Sequence, residues 1–385
     1  MSRRFCATNW PPKLKRWSHI LELPTHHRVP LSWLLEHGNE TVKLKSYQEF
    51  GSVSDEVTQA LESAITESKP IQALCKKQKD NGVWGGNLLA LAASAKDGIK
   101  DVGTVPQHRR LVQLGALRSA RAFKLSERVL FRTLSRDEDP FLQFEFAKLA
   151  KEGPAALEWA REHMREAATA ALAEAGYQED PRIRGAAHRI ASNVSAYLRS
   201  PLAEKPFVKM GAKLILDPTA HPPTWYSVAM IAAMPNLQRE RAGFTERLGQ
   251  HLAGPAPKKA FSVMAGKKTV KPDYLLMGDP IEADSRGNAK DIPLALYVIE
   301  LLARLGALYL APIATKVLHR LLTDCDGNGV WQPKGLKSQP KATHKITYHW
   351  YPLMPETKAI ESRVVDITYR LASIARILGW QLEIR

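Results

Sequence analysis

The chain has 385 residues, of which 44% are hydrophobic and 24% are charged; this composition is typical of a globular protein and excludes a disordered one. Lysine and arginine outnumber aspartate and glutamate by 55 to 39, giving a formal net charge of +16, so the surface favours anionic partners such as nucleic acid or phosphate-bearing molecules. The excess is spread along the chain, which argues against a detachable basic tail.

Cysteine usage and hydropathy indicate the compartment. The three cysteines are far apart in the sequence and cannot form a disulfide framework. The first residues carry arginines without an apolar stretch behind them, unlike a signal peptide. The most apolar long run, 292–315, is interrupted by Glu300 and Arg304, which would be costly in lipid. We therefore expect a cytoplasmic protein without a membrane span.

Helical patterns follow one another along most of the chain, with good helix formers between capping residues, prolines and glycines. Alternating strand patterns are rare, so the sequence predicts an all-α protein. The predicted helices cover roughly 29–37, 54–66, 70–78, 106–117, 126–135, 141–146, 158–175, 182–199, 224–234, 238–252, 291–305, 312–322 and 361–378.

The range 201–290 differs from its surroundings, because it holds ten of the 25 prolines. Proline shortens helices and forces loops, so we expect the longest non-helical stretches here, with hairpin-like strands at 208–216 and 260–270. This divides the chain into an N-terminal extension (1–28), an N-terminal helical-repeat half (29–200), a Pro-rich insertion or connecting layer (201–290) and a C-terminal helical-repeat half (291–385).

Two short motifs recur in the chain. The sequence Asn-Gly-Val-Trp occurs at 81–84 and again at 328–331. The sequence Leu-Gly-Ala-Leu occurs at 114–117 and at 305–308, with a Leu-Gly-Trp variant at 378–380. Both motifs fall at predicted helix ends. They predict helices that end in a glycine cap, and helix pairs that stack into a curved array because no pair can bury its apolar face alone.

The first of these loops has the form Gln-x3-Gly-x-Trp, with Gln78, Gly82 and Trp84 in the three positions. The second has Gly329 and Trp331, with Cys325 in the glutamine position. These loops resemble the repeats of bacterial helical-repeat proteins in the superfamily of squalene cyclases and protein prenyltransferase β subunits. The resemblance covers about the first 120 and the last 100 residues.

The resemblance implies an α/α-toroid or a related helical-repeat superhelix, in which these residues tie the helix pairs together. It does not imply the chemistry of the family. The Asp-x-Asp-Asp acid of the cyclases is absent from the sequence, and Cys325 lacks the histidine setting of the prenyltransferase zinc site. No catalytic residue can therefore be assigned.

Basic residues concentrate in windows that contain few or no acids, and one window also contains aromatic residues. Arginine, lysine and aromatic side chains together are typical of surfaces that contact phosphates and bases. The alternative is a solvated basic face without a ligand. The candidate anion-binding residues are Arg109, Arg110, Arg118, Arg121, Arg128, Arg132, Lys334, Lys337, Lys341, Lys345, His344 and His349. The candidate stacking residues are Trp331, Tyr348 and Trp350.

No metal site and no cofactor are expected. The residues 324–329 fit the first half of a calcium loop, but position 12 is Gly335 instead of glutamate, so turn formation explains them better. The sequence favours a non-catalytic helical scaffold whose basic surface binds an anionic partner, with nucleic acid preferred. Two alternatives stay open: a diverged terpenoid cyclase or prenyltransferase-like enzyme that binds a prenyl diphosphate, and a scaffold for protein–protein interaction.

Overall fold

The computed structural model describes residues 23–91, 101–136 and 139–385. Most of the predicted N-terminal extension therefore lies outside the described residues. The helices of the first half are α1 (Leu31–His37), α2 (Glu40–Phe50), α3 (Asp55–Glu67), α4 (Lys69–Lys77), α5 (Thr104–Gln113), α6 (Arg121–Ser135), α7 (Ala147–Ala150), α8 (Pro154–Glu174) and α9 (Pro181–Arg199). Those of the second half are α10 (Trp225–Ala232), α11 (Pro235–Glu240), α12 (Ala242–Ala253), α13 (Ile292–Arg304), α14 (Pro312–Thr323) and α15 (Val365–Ile377). The protein is mostly helical, as the sequence predicts.

Six short strands form three two-stranded sheets in the described part of the chain. Two of these sheets are the predicted hairpins, β2 (Phe207–Met210) with β3 (Lys213–Leu216) and β4 (Val263–Ala265) with β5 (Lys268–Val270). The third was not predicted: β1 (His26–Val29) pairs in parallel with β6 (Gln381–Ile384). It joins the first and last elements that the structure describes.

Five helices contribute to the main hydrophobic core and contact one another in succession: α5 with α8, α8 with α10, α10 with α13, and α13 with α15. All eight residues of α10 are buried. This helix belongs to the range 201–290. That range therefore contributes to the core, in addition to connecting the two halves of the chain. The domain boundaries themselves stay a prediction.

Four of these five helices end in the same way. Helices α5, α8, α13 and α15 are followed by Gly115, Gly176, Gly306 and Gly379, each at positive φ. In the first case the Gly115 N–H donates to the Val112 carbonyl at 3.1 Å, and the next N–H reaches the Leu111 carbonyl at 3.0 Å. The other three ends repeat this pattern. It is the Schellman motif, in which glycine accepts the left-handed conformation that closes the helix. The predicted glycine caps are confirmed.

The connections differ in length at the two ends of these helices. Short turns lead from α5 to α6, from α8 to α9 and from α13 to α14, and each of these pairs is in contact. The connections are six or seven residues long, and connections this short favour antiparallel neighbours. The return connections are long: 200–224, 254–291 and 324–364. The long segments therefore lie at the end where α10, α13 and α15 begin, which we call the long-loop end.

Two sequence expectations are wrong. Residues 141–146, predicted as a helix, belong to two short 3₁₀ turns, Pro140–Leu142 and Phe144–Phe146, and the second begins with Phe144 at a φ of 43°. The longest described stretch without an α-helix is 324–364, outside the Pro-rich range, because Pro333, Pro340, Pro352 and several glycines interrupt it. Helix α2 was not predicted.

No helix in the described ranges combines the length and apolar character of a membrane span.

Candidate functional site

The two Gly-x-Trp loops have equivalent backbone geometry. In the first, the Lys79 N–H donates to the Val83 carbonyl at 2.9 Å; in the second, the Asp326 N–H donates to the Val330 carbonyl at the same distance. Gly82 and Gly329 have φ values of 89° and 92°. The indoles that follow, Trp84 and Trp331, are each only 1% exposed. The predicted equivalence of the two loops is confirmed.

The two Gly-x-Trp loops differ in the contacts that attach them to the rest of the protein. Gln78 donates its Nε2 to the carbonyls of Gly82 and Ala122, at 3.1 and 2.8 Å, and so links its loop to α6. Cys325 does not make this link, because its thiol donates to the carbonyl of Leu321 in the preceding helix α14, at 3.7 Å. The second loop instead presses against β1: a Cβ on Gly329 would lie 2.0 Å from the Arg28 carbonyl oxygen.

Arg109, predicted to bind an anion at the surface, lies in the core and is 1% exposed. Its guanidinium makes a two-pronged contact with Glu174, with Nε–Oε2 at 2.6 Å and Nη2–Oε1 at 2.7 Å, and also donates to the Tyr297 hydroxyl at 3.0 Å. Burial opposes its charge, but the Glu174 carboxylate keeps the pKa of Arg109 above its usual range. The prediction is corrected: Arg109 joins α5, α8 and α13.

Two further arginines of this group satisfy backbone carbonyls. Arg110 donates to the carbonyl of Pro352, and burial lowers its pKa to about 10. Arg118 donates to the Ala175 carbonyl at the end of α8, with its guanidinium 5.1 Å from the centre of the Tyr177 ring. Both side chains therefore stabilise chain connections. Arg110 is partly buried and poorly placed for an external phosphate, whereas Arg118 is exposed and its anion-binding role stays a prediction.

The two histidines of the C-terminal window also have structural roles. His344 is half-buried, and its imidazole accepts the backbone N–H of Ile346 at 3.3 Å. His349 is 1% exposed, with Nδ1 at 2.9 Å from the Ile346 carbonyl. Burial lowers the pKa of both imidazoles, so they stay uncharged at neutral pH. The prediction that His349 binds an anion is therefore corrected, because this imidazole is buried and uncharged.

The stacking prediction is corrected for two of its three residues. Trp331 and Trp350 are each 1% exposed, so neither ring has a face available to an unpaired base. One face of Trp350 is covered by the guanidinium of Arg370, 3.2 Å from the ring centre. Tyr348 is half-buried and donates its hydroxyl to Gln107 at 2.8 Å. Tyr348 and Trp350 hold the segment after 344 against the core helices.

The remaining arginines lie on one exposed face of α6. Arg121, Arg128 and Arg132 are exposed, and their spacing of seven and four residues places them on one side of the helix. Arg121 contacts Asp80 at 2.9 Å, and Arg132 lies 3.9 Å from Asp139. Exposed pairs of this kind contribute little to stability. The face is basic, but it is partly neutralised.

The four predicted lysines, in contrast, share one exposed segment at the long-loop end. Lys334, Lys337, Lys341 and Lys345 are all exposed, and none forms an ion pair within the described part of the chain. No acidic residue occurs between 331 and 345. The segment thus presents four unneutralised charges along a short length of chain.

Asp291 anchors this segment to the start of α13. One carboxylate oxygen accepts the N–H of Leu294 at 2.8 Å and so caps the helix, while the other accepts the N–H and hydroxyl of Thr343, each at 2.6 Å, and the His344 N–H at 3.0 Å. Burial works against its ionisation, but these hydrogen bonds hold the pKa of Asp291 below its usual value. The sequence analysis missed this residue, although aspartate two residues before a proline at a helix start is a capping signal.

A groove of about 710 Å³ lies beside the lysine segment, between 287–292 and 320–336. Lys334 lines it together with Arg320, whose guanidinium contacts Asp324 at 2.8 Å and Asn288 at 3.0 Å. The carboxylate of Asp326, also in the lining, accepts two backbone N–H groups of its own turn. Lys334 is therefore the cation of this groove that is left to bind an external anion.

Within the described ranges, no group of three or more His, Cys, Asp or Glu side chains is placed to hold a metal ion. No family model, curated protein or solved structure matches this chain.

Proposed function

We propose that the protein is a helical scaffold that binds an anionic polymer, preferably nucleic acid, at its long-loop end. The observation that carries the proposal is the exposed segment with Lys334, Lys337, Lys341 and Lys345, whose ammonium groups form no ion pair among the described residues. Unpaired lysines along a loop suit a repeating phosphate chain, because each ammonium group can replace a counterion.

The proposal includes a closed ring of helix pairs as the scaffold. The succession of contacts from α5 through α15 supports a curved array. Two further contacts favour closure: β1 pairs with β6, and α1 and α2 both contact α15. The first described elements of the chain thus touch the last. A closed array would hold the long segments together at one end, much as a rigid barrel positions its loops.

The expected mode of binding is contact with the phosphate backbone. Stacking of bases on Trp331 or Trp350 receives no support, because both rings are buried. The start of α13 contributes its peptide dipole beneath the segment, but Asp291 caps that helix end and offsets this field. The lysines should therefore supply the attraction, and single strands should have no advantage over duplexes from these indoles.

Binding of a short fluorescent DNA duplex, followed by anisotropy across a salt series, tests the proposal. If the four lysines each neutralise one phosphate, the slope of log K against log salt should be about −3.6. The quadruple variant Lys334→Glu, Lys337→Glu, Lys341→Glu and Lys345→Glu should lose this slope and most of the affinity. A matched control variant replaces four other lysines by glutamate. These lysines are also exposed and at the long-loop end: Lys258, Lys259, Lys267 and Lys271. Equal losses in both variants, or no binding by the native chain, would refute the proposal.

The alternative of a prenyl diphosphate enzyme receives less support. Such a substrate needs an apolar cavity among the five successively contacting helices α5, α8, α10, α13 and α15. That space is occupied by Tyr297, which lies 5.4 Å from the Trp350 ring centre and bonds to Arg109. A titration with a prenyl diphosphate would distinguish this alternative, since tight binding of that ligand without polymer binding would favour it. A scaffold for proteins alone predicts that neither ligand binds at physiological salt.

A further inference from the structure

A second concave site lies apart from the lysine segment, between α8, α9 and the two hairpins of the Pro-rich range. Its volume is about 150 Å³, and the lining includes residues 159–166 of α8, 186–194 of α9 and parts of 216–224, 263–264 and 274–275. A cavity of about 150 Å³ accommodates a benzene-sized molecule. The site has room for a ligand of that size.

One wall of this pocket is acidic. Glu162 and Glu166 both line it and lie one helical turn apart, so they occupy the same face of α8. Burial opposes the ionisation of Glu166, while the nearby hydroxyls of Thr224 and Ser227 favour its charged form. These two residues form the capping box of α10, in which the Ser227 N–H donates to Thr224 Oγ1 at 3.0 Å. The start of α10 therefore lies beside Glu166.

Three aromatic rings also line the pocket and make part of its wall apolar. Trp159 and His163 stack with ring centres 5.3 Å apart, and Tyr274 meets His163 edge-on at 4.4 Å. Aromatic faces attract cations, and the attraction grows when the cation is desolvated. Burial lowers the pKa of His163 to about 4, so this imidazole carries no charge at neutral pH and does not repel a cation.

We propose that this pocket binds a small organic cation, an ammonium group on an apolar body, with Glu166 and Glu162 as its counter-charges and the three rings as its walls. A protein with a net charge of +16 has no general attraction for such a ligand, so the local arrangement must supply it. The carboxylates supply the charge, and the rings supply both the apolar contact and the cation–π term.

Arginines also line the pocket, and their placement bears on the choice of ligand. Arg165 and Arg189 both line the pocket, and burial together with the charge of Arg189 lowers the pKa of Arg165. Glu162, one helical turn from Glu166, adds a second carboxylate at that wall. A ligand seated at the Glu166 wall should therefore be cationic, and an anion preferring the arginines is the competing outcome of the test.

Protonation of Glu166 should control the affinity. Burial raises the pKa of Glu166 to about 7, so its charge is half lost at neutral pH and is restored above it. Other titratable or charged groups face it or line the same pocket and must be separated from its effect: Glu162, His163, Arg165, Arg189, Asp217, His221, Tyr226 and Tyr274. The variant Glu166→Gln separates them, because it removes one titrating group only.

Calorimetric titration of the full chain with benzylammonium, benzyl alcohol and benzoate tests the proposal. Benzylammonium should bind more tightly than the other two at pH 8, and its affinity should fall on acidification below about pH 7, approaching tenfold per pH unit as Glu166 becomes protonated. Amine pKa values lie near 10, so the probe keeps its charge over this range.

Variants on α8 provide the control. Glu166→Gln should weaken benzylammonium binding about tenfold or more at pH 8 and abolish most of its pH dependence. Glu158→Gln, one turn before Glu162, changes the net charge equally, but Glu158 pairs with Arg161 at 3.5 Å and lies outside the lining, so the affinity should stay within about twofold. Tighter binding of benzoate, an unchanged affinity in folded Glu166→Gln, or no pH dependence in the native chain would overturn the proposal. If Glu166→Gln does not fold, the pH series and the three probes on the native chain still decide.

Discussion

The backbone N–H of Trp331 donates to the hydroxyl of Thr368 at 3.1 Å, 37 residues further along the chain. Trp84 makes the same bond to Thr104 at 3.3 Å, although only 20 residues separate them. In each case a Gly-x-Trp loop is fastened to one of the buried helices, α15 or α5. The repeat therefore includes a contact between the loop and a core helix. This contact is the same in both copies, although the chain between the tryptophan and the threonine is much longer in the second copy.

Replacing Trp331 by alanine should lower the free energy of unfolding by about 3–5 kcal/mol, because a fully buried ring leaves a large cavity. Trp84→Ala should cost at least as much, since Trp84 also donates its Nε1 to the Leu74 carbonyl at 2.9 Å. Urea unfolding measures both changes. Phe141→Ala is the control: this ring is 90% exposed, so the change should stay within about 0.5 kcal/mol. Equal effects at all three positions would contradict the burial of the indoles.

Gly329→Ala should destabilise the protein by about 1–3 kcal/mol or more, because alanine is strained at a φ of 92° and its Cβ would collide with the Arg28 carbonyl oxygen. Gly327→Ala, two residues earlier, is a matched control. Its Cβ would meet nothing within 4 Å. Thermal unfolding should separate the two variants clearly, and a similar melting temperature for both would show that the loop does not press against β1.

Arg109→Met should lower the free energy of unfolding by about 3–5 kcal/mol, because it leaves Glu174 without its partner. Replacing both residues, with Arg109→Met and Glu174→Gln, should cost less than the single arginine change, since no uncompensated charge remains. Denaturant unfolding of the two variants measures the difference. Arg128→Met, on the exposed face of α6, should have little effect on stability. A single change at Arg109 that weakens anion binding but leaves stability intact would contradict its placement in the core.

Several local features could be predicted because neighbouring residues determine them. The hairpins at 207–216 and 263–270 follow from strand-forming residues on either side of Gly211 and Gly266, both at positive φ. The helix ends at Gly115 and Gly306 follow from the left-handed conformation that glycine adopts without strain. Helix α2 was missed because its burial depends on contacts with α1, α3 and α15 more than on a strong pattern of its own.

The sequence by itself determined the helical class, most helix positions, the two hairpins and the equivalence of the Gly-x-Trp loops, because each depends on backbone preferences within a few residues. Only the tertiary structure decided which charged and aromatic residues face solvent. Arg109 and Lys334 are both cations in basic windows. Arg109 forms an ion pair with Glu174 from another helix, whereas Lys334 forms no ion pair with any described acidic residue. Trp350 resembles a stacking residue until Arg370, 20 positions later, covers its ring. Burial and pairing of this kind depend on contacts between distant parts of the chain, which local patterns do not encode.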